Sequence, residues 1–113
     1  MGYEVKPDSS ALLVIDVQEE YFDPLGPAYF AEAPARLASI NRLIEAFAAS
    51  QAPVIYIRHA HRPSGTDVGR MADFAADGEE DSFLEGTPRV AFHHQLSIEK
   101  NPIVVTKTRY DSF

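Results

Sequence analysis

ALLVIDV, residues 11–17, is apolar at five consecutive positions from Ala11 to Ile15 rather than at alternate ones, and carries β-branched side chains. That pattern reads as a strand covered on both faces, central in a parallel sheet. PVIYIRH, residues 53–59, has the same signature. Between the two, PARLASINRLIEAFAAS, residues 34–50, opens on a proline suited to a first helical turn. It sets Leu37, Ile40, Ile44 and Phe47 on one face, with Leu43 and Ala48 widening the stripe. Strand, helix and strand with short joints predict a right-handed βαβ crossover.

Residues 60–88 are different in character, with four of the six glycines, two prolines and the acidic cluster Asp77, Glu79, Glu80 and Asp81. They predict a long surface excursion of the lid or binding-loop kind, with 62–88 the least regular part of the chain. Thr87 and Pro88 predict the cap of a short helix running through Val90, Phe92 and Leu96. On such a helix His93 and His94 diverge by ~100° and cannot both face one ion. Asn101 and Pro102 then introduce IVVT, residues 103–106, a third buried strand running into Lys107. No internal repeat or low-complexity tract interrupts this order. The expected class is α/β with a parallel sheet.

Composition bounds the function. With 113 residues, 45% hydrophobic and 24% charged, the chain has the make-up of one globular domain, toward the small end for an α/β enzyme. Ten Lys+Arg against 17 Asp+Glu give a formal charge of -7, which disfavours nucleic acid and anionic membrane surfaces as partners. No apolar run approaches the roughly 20 residues of a spanning helix, and MGYEVKPDSS lacks the regions of a signal peptide, so a cytoplasmic location is expected. There is no cysteine, hence no disulfide, thiolate nucleophile or Cys-ligated metal within these residues.

In open parallel sheets ligands bind at the carboxyl ends of the strands. The three strand ends here carry Asp16, then Arg58 with His59 and His61, then Lys107. A carboxylate and an ammonium at two such ends can share a pocket, hold each other charged and orient a reacting group; a turn-capping Asp and a surface Lys are the plainer alternatives. His59 and His61, two apart on an extended segment, project to one side. With no third ligand fixed by local sequence, they are expected to hydrogen-bond rather than hold a metal, and no metal or other cofactor is expected. Tyr21, Phe22 and Phe30 either wall an aromatic pocket or cover the edge of the sheet. A response-regulator phosphoacceptor, which also has an Asp and a Lys at strand ends, is disfavoured, since Ile15 and Val17 flank Asp16 and the middle strand ends in Arg58 and His59.

These residues together resemble the isochorismatase-like cysteine hydrolases, a family of nicotinamidases, N-carbamoylsarcosine amidohydrolases and isochorismatases. ALLVIDVQEEYFDP, residues 11–24, looks like the opening strand with its Asp-x-Gln-x-x-Phe pattern, here Asp16, Gln18 and, one position later, Phe22. PVIYIRHAHRPSGTDVG, residues 53–69, is similar to the second strand and following loop of the branch without metal. The excursion toward PRVAFHHQL is a third likeness, and VVTKTRYDSF, residues 104–113, is similar to the Lys-x-Arg-Tyr-Ser-Ala-Phe segment, with Asp111 where Ser is usual.

The resemblance covers the N-terminal part of a single domain, residues 1–113, roughly the first three fifths of a family member. It implies a three-layer α/β/α, Rossmann-like fold, cut after its third strand, and an Asp-Lys-Cys triad. Asp16 would be the general base toward the thiol and Lys107 the cation favouring thiolate, with the Cys beyond this chain. Gln18, Tyr21, Phe22, His59, His61 and Tyr110 fall at substrate-binding places. His59 stands where the metal-binding branch has Asp, while His61 matches the histidine of that Asp-x-His pair. The implied reaction is hydrolysis of a C–N amide-type bond of a small molecule. A vinyl ether hydrolase that needs no thiol, and a non-catalytic ligand-binding or assembly domain, are the alternatives. Either a homo-oligomer or a partner chain carrying the rest of the domain is expected to complete the sheet.

Overall fold

The computed structural model describes residues 2–70 and 82–113. The acidic cluster Asp77, Glu79, Glu80 and Asp81 lies outside the described residues. In chain order the elements are a 3-10 turn Pro7–Ser9, β1 Leu12–Ile15, a one-turn helix α1 Glu19–Phe22, the long helix α2 Ala33–Ala49, β2 Val54–His59, a 3-10 turn Pro88–Val90 and β3 Ile103–Lys107. The strands form one parallel sheet in the order β1-β2-β3, with Leu12 opposite Val54 and Ile55 opposite Ile103. The α/β reading is therefore met, and each of the three strands falls within the stretch that predicted it. Among the described residues no helix is long and apolar enough to cross a membrane.

The helix ends where its own backbone stops it. Gln51 adopts φ +57° and donates its N–H to the Ala48 carbonyl, while the Ala52 N–H reaches back to the Phe47 carbonyl. These are the two bonds of a Schellman closure, with a glutamine in the place glycine usually takes. Ala52 and Pro53 then turn the chain directly into β2.

The core lies between α2 and one face of the sheet. Val14, Val17, Leu37, Ile44, Val54, Tyr56 and Leu96 are buried there, with Leu12, Ile40 and Phe47 packed against them. Tyr56 is fully buried, and its hydroxyl donates to the Ser97 carbonyl and accepts the Glu99 N–H, so the approach to β3 is tied to the middle of β2. Asn41 holds the same approach from α2, donating to the Gln95 carbonyl and accepting the Ser97 N–H.

Three expectations are corrected. β2, not β1, is the central strand, and β1 alternates between Val14, 4% exposed, and Leu13 and Ile15, 44% and 51% exposed. β3 is not buried: Ile103, Val104 and Val105 are all exposed and only Lys107 is covered. An unbroken apolar run shows that both faces are suited to cover; the described residues cover the face of Leu12 and Val14. The helix read through Val90, Phe92 and Leu96 is a single 3-10 turn ending at Val90. Residues 91–93 instead run antiparallel beside 17–19, with Glu19 N–H donating to Ala91 O and His93 N–H to Val17 O. Pairing to the segment after β1 satisfies these backbone groups, and a helix would have left that segment without a partner.

Gln18 holds this junction. Its residue is fully buried; its carboxamide nitrogen donates to the carbonyls of His59 and Val90 at 2.8 Å each, and its oxygen accepts the His59 N–H at 2.8 Å. Gln18→Leu removes all three partners from buried backbone groups while keeping the volume. It should cost roughly 2–4 kcal/mol in urea unfolding, with a lower midpoint and an unchanged slope. A loss within experimental error of zero would show that water replaces the amide.

Candidate active site

The ladder between β1 and β2 runs one bond past Ile15, from the Asp16 N–H to the Ile57 carbonyl at 2.9 Å. Asp16 then takes φ +59°, a left-handed conformation that a short polar side chain tolerates at modest cost. This turn leaves its carboxylate at the carboxyl edge of the sheet. Lys107, the last residue of β3, reaches the same point: its Nζ lies 3.0 Å from Asp16 Oδ2 and donates to the Tyr110 carbonyl at 2.8 Å. The lysine side chain is only 5% exposed, so the carboxylate and the carbonyl replace most of its hydration. Asp16 Oδ1 is buried and has no hydrogen-bond partner among the described residues.

The end of β2 supplies the neighbouring wall. His59 and His61 are both buried, and their Nε2 atoms stand 2.8 Å apart, so one ring donates to the other. Phe83 stacks on His59 with centroids 4.7 Å apart, and the Tyr21 ring lies 5.6 Å from Phe83. Burial, reinforced by the neighbouring His61, pushes His59 down to about 4 despite the opposing Asp16 carboxylate; Lys107 and Arg109 add to the fall. Burial likewise lowers His61, against the pull of Asp67. Asp67 Oδ1 is 3.6 Å from His61 Nδ1, beyond hydrogen-bond reach but close enough to favour a proton on that nitrogen. His61 Nε2 then accepts, and His59 Nε2 donates to it.

Both arms of the excursion are fastened to this edge. The His61 N–H donates to the Phe83 carbonyl and the Glu85 N–H to the His61 carbonyl. Arg58 grips the Glu85 carboxylate with two nitrogens and donates through Nε to Thr106 Oγ1. Glu20, 1% exposed, accepts the Phe83 N–H at 2.7 Å, and burial pushes its carboxyl up.

The structure thus brings Asp16, Lys107, His59 and His61 to one sheet edge, with Tyr21 reaching it through Phe83. Gln18 sits behind the site as a brace. Phe22 turns away and stacks on His93 at 4.0 Å, packed against the core. Tyr110 is 77% exposed, and its contact with Lys107 is through its carbonyl. Sequence reasoning missed Phe83, Glu20, Asp67 and the Arg58–Glu85 pair, which meet the site across 27 to 63 residues for the contacts of Glu85 and Glu20; no local pattern signals them.

An acid-cation pair at the carboxyl edge of a parallel α/β sheet is a place where several chemistries can be built and does not by itself define one. The comparisons narrow it. Residues 10–113 match the family model described as the isochorismatase domain, and the chain belongs to that family. A cysteine hydrolase from Pseudomonas syringae is 28% identical, with a TM-score of 0.89 over 99% of this chain and 52% of its own. An isochorismatase family protein from Desulfovibrio vulgaris is 26% identical, with a TM-score of 0.76 over 91% of this chain and 54% of its own. An N-carbamoylsarcosine amidase from Thermoplasma acidophilum, 22% identical with a TM-score of 0.72 over 91% of this chain and 54% of its own, shares the fold. The chain therefore spans about half the length of these structures. No curated protein matches it.

Neutral His59 makes stability depend on acid. Its value in the folded chain, about 4, lies below the 6.5 of an exposed imidazole, so the unfolded chain takes up the proton first. The contribution is complete above pH 6.5 and is lost as pH falls toward 4, by at most about 3 kcal/mol. Urea midpoints at about pH 7 and about pH 4.5 should therefore differ less in His59→Phe than in the parent chain. Equal losses in both would remove His59 as a cause.

Proposed function

We propose that this chain carries the acid-base half of a hydrolase site that cleaves a C–N amide-type bond of a small molecule. The observation that carries the reading is the 3.0 Å pair of Lys107 and Asp16, with Asp16 Oδ1 left without a partner among the described residues. Lys107 Nζ holds one carboxylate oxygen of Asp16, and the other oxygen is left open to exchange a proton with a reacting group. The chain has no cysteine, so the thiol comes from the part of the domain corresponding to the other half of the relatives, on the same polypeptide or on a partner chain. That part is proposed to pack against the outer edge of β1, where Leu13, Ile15 and Leu43 are exposed around an apolar groove of about 240 Å³.

In this mechanism Asp16 takes the thiol proton as sulfur attacks the carbonyl carbon, while backbone amides stabilise the oxyanion. The C–N bond breaks as Asp16 returns the proton to the leaving nitrogen, forming a thioester. A water, deprotonated by Asp16, then attacks the thioester; the C–S bond breaks and the sulfur regains a proton. His59 and His61, neutral and apposed, form a polar wall, and Phe83 an apolar one, against the substrate. The family model's description, isochorismatase domain, supports a second reading, vinyl ether hydrolysis without a thiol: a carboxylic acid protonates the alkene carbon, water adds to the oxocarbenium ion, and the C–O bond of the resulting hemiketal breaks to release an alcohol and a carbonyl compound.

The test is product release from a panel of small amides, N-carbamoyl amino acids and vinyl ethers, read as amine or ammonia for the first two and as carbonyl product for the last, by the protein that includes the complementary half. Asp16→Asn and Lys107→Met should each lower kcat by roughly 10²–10⁴ with the fold intact by circular dichroism. Loss of turnover on replacing the added cysteine supports the amide route. Turnover that survives that replacement and is confined to vinyl ethers supports the second, and persistence within about tenfold in Asp16→Asn sinks both.

A further inference from the structure

The second histidine pair behaves unlike the helix-borne pair the sequence suggests. Because 91–93 runs alongside 17–19, His93 and His94 both turn to one carboxylate: Glu19 Oε1 lies 3.1 Å from His93 Nδ1 and 3.0 Å from His94 Nδ1. The same oxygen also accepts the His94 N–H at 2.8 Å. One carboxylate oxygen has two lone pairs, yet three nitrogens converge on it. The surplus shows in His93: it is 8% exposed, its ring is fixed by stacking on Phe22, and its Nδ1 has no hydrogen-bond partner among the described residues. A ring nitrogen at that distance from a carboxylate oxygen needs a positive centre between them, its own proton or a bound cation, and one cation serves both rings at once.

We propose that Glu19, His93 and His94 bind a divalent transition-metal ion of the zinc type. Donor identity and spacing both suit it. Two imidazole nitrogens and a carboxylate oxygen are the donors of three-ligand zinc sites, and donors ~2.0–2.1 Å from a tetrahedral ion are about 3.3 Å apart. The three ligand atoms here lie within 4.8 Å of one another, and two of the three separations are 3.0 and 3.1 Å. The His94 side chain is 72% exposed, which gives an ion a path in and leaves the fourth position to water. The His59–His61 pair differs, since its two Nε2 atoms are spent on each other.

Bound there, the ion ties the start of α1 to a segment 75 residues away and closes the junction that Gln18 braces from the other side. The site shares no residue with the Asp16–Lys107 pair, so it stands or falls independently of the proposed reaction. The test is titration of the chelator-stripped full-length protein with Co²⁺ alone, read by visible d–d absorption, followed by competition with Zn²⁺. His94→Ala alters an exposed side chain and should leave the fold intact. Expected are a saturating tetrahedral spectrum, displaced by Zn²⁺, and a dissociation constant in His94→Ala weaker by no less than the roughly tenfold that even an outer-sphere partner commands. Glu19→Gln should weaken it similarly, and His61→Ala should not. No spectrum, a spectrum indifferent to His94→Ala and Glu19→Gln, or one lost only in His61→Ala would each overturn the proposal.

Discussion

A buried carboxamide holds the strand end together. In a parallel ladder the N–H and C=O of one residue point to the same neighbour, and on β2 the odd positions face β1, as the Asp16 N–H to Ile57 carbonyl bond shows. The left-handed turn at Asp16 carries the chain away from β2, so both backbone groups of His59 would be stranded in a buried place. Gln18 answers with a donor and an acceptor in the geometry of a peptide group and pairs with both. Its second amide hydrogen goes to Val90, which fixes the 88–90 turn as well. The break that aims Asp16 at Lys107 is therefore tolerable because a side chain continues the ladder where the backbone cannot.

This explains how far the sequence could be read. The strands and α2 follow from runs and spacing of apolar residues, information that is local and survives without the fold. Asp16 and Lys107 were legible because each terminates such a run and the parallel topology puts all those ends on one edge. Phe83 and Glu20 were not, since what places them is a hydrogen bond between residues 63 apart. The misreading of 88–96 has the same source: Pro88 after Thr87 is a true start signal, but Ala91 and His93 pair with Glu19 and Val17, and those long-range bonds end the turn. Once the helix is gone, so is the geometric reason for the two histidines to diverge.

Charge at the site runs against charge overall. The chain carries a net -7, yet Lys107 and Arg109 both act to keep the imidazole of His59 neutral. Arg109 is itself anchored to the Asp67 carbonyl and Arg58 to Glu85, so the cations near the strand ends are placed by the excursion as much as by the sheet. A neutral imidazole pair, set edge to face beside the Asp16–Lys107 ion pair, gives this edge polar atoms without adding a formal charge.

Consecutive acids show how one turn of helix serves two ends of the site. Glu19 and Glu20 sit side by side at the start of α1, where adjacent side chains diverge by ~100°. Glu20 is driven inward to accept the Phe83 N–H and so positions the ring that stacks on His59. Glu19 faces outward to the His94 backbone and the two imidazoles. Each carboxylate fixes a segment more than 60 residues away in sequence, and both depend on Gln18, the residue just before them, being locked. A substitution that loosens Gln18 must then move the aromatic wall and the histidine pair together, because the same four-residue helix carries the restraint on both.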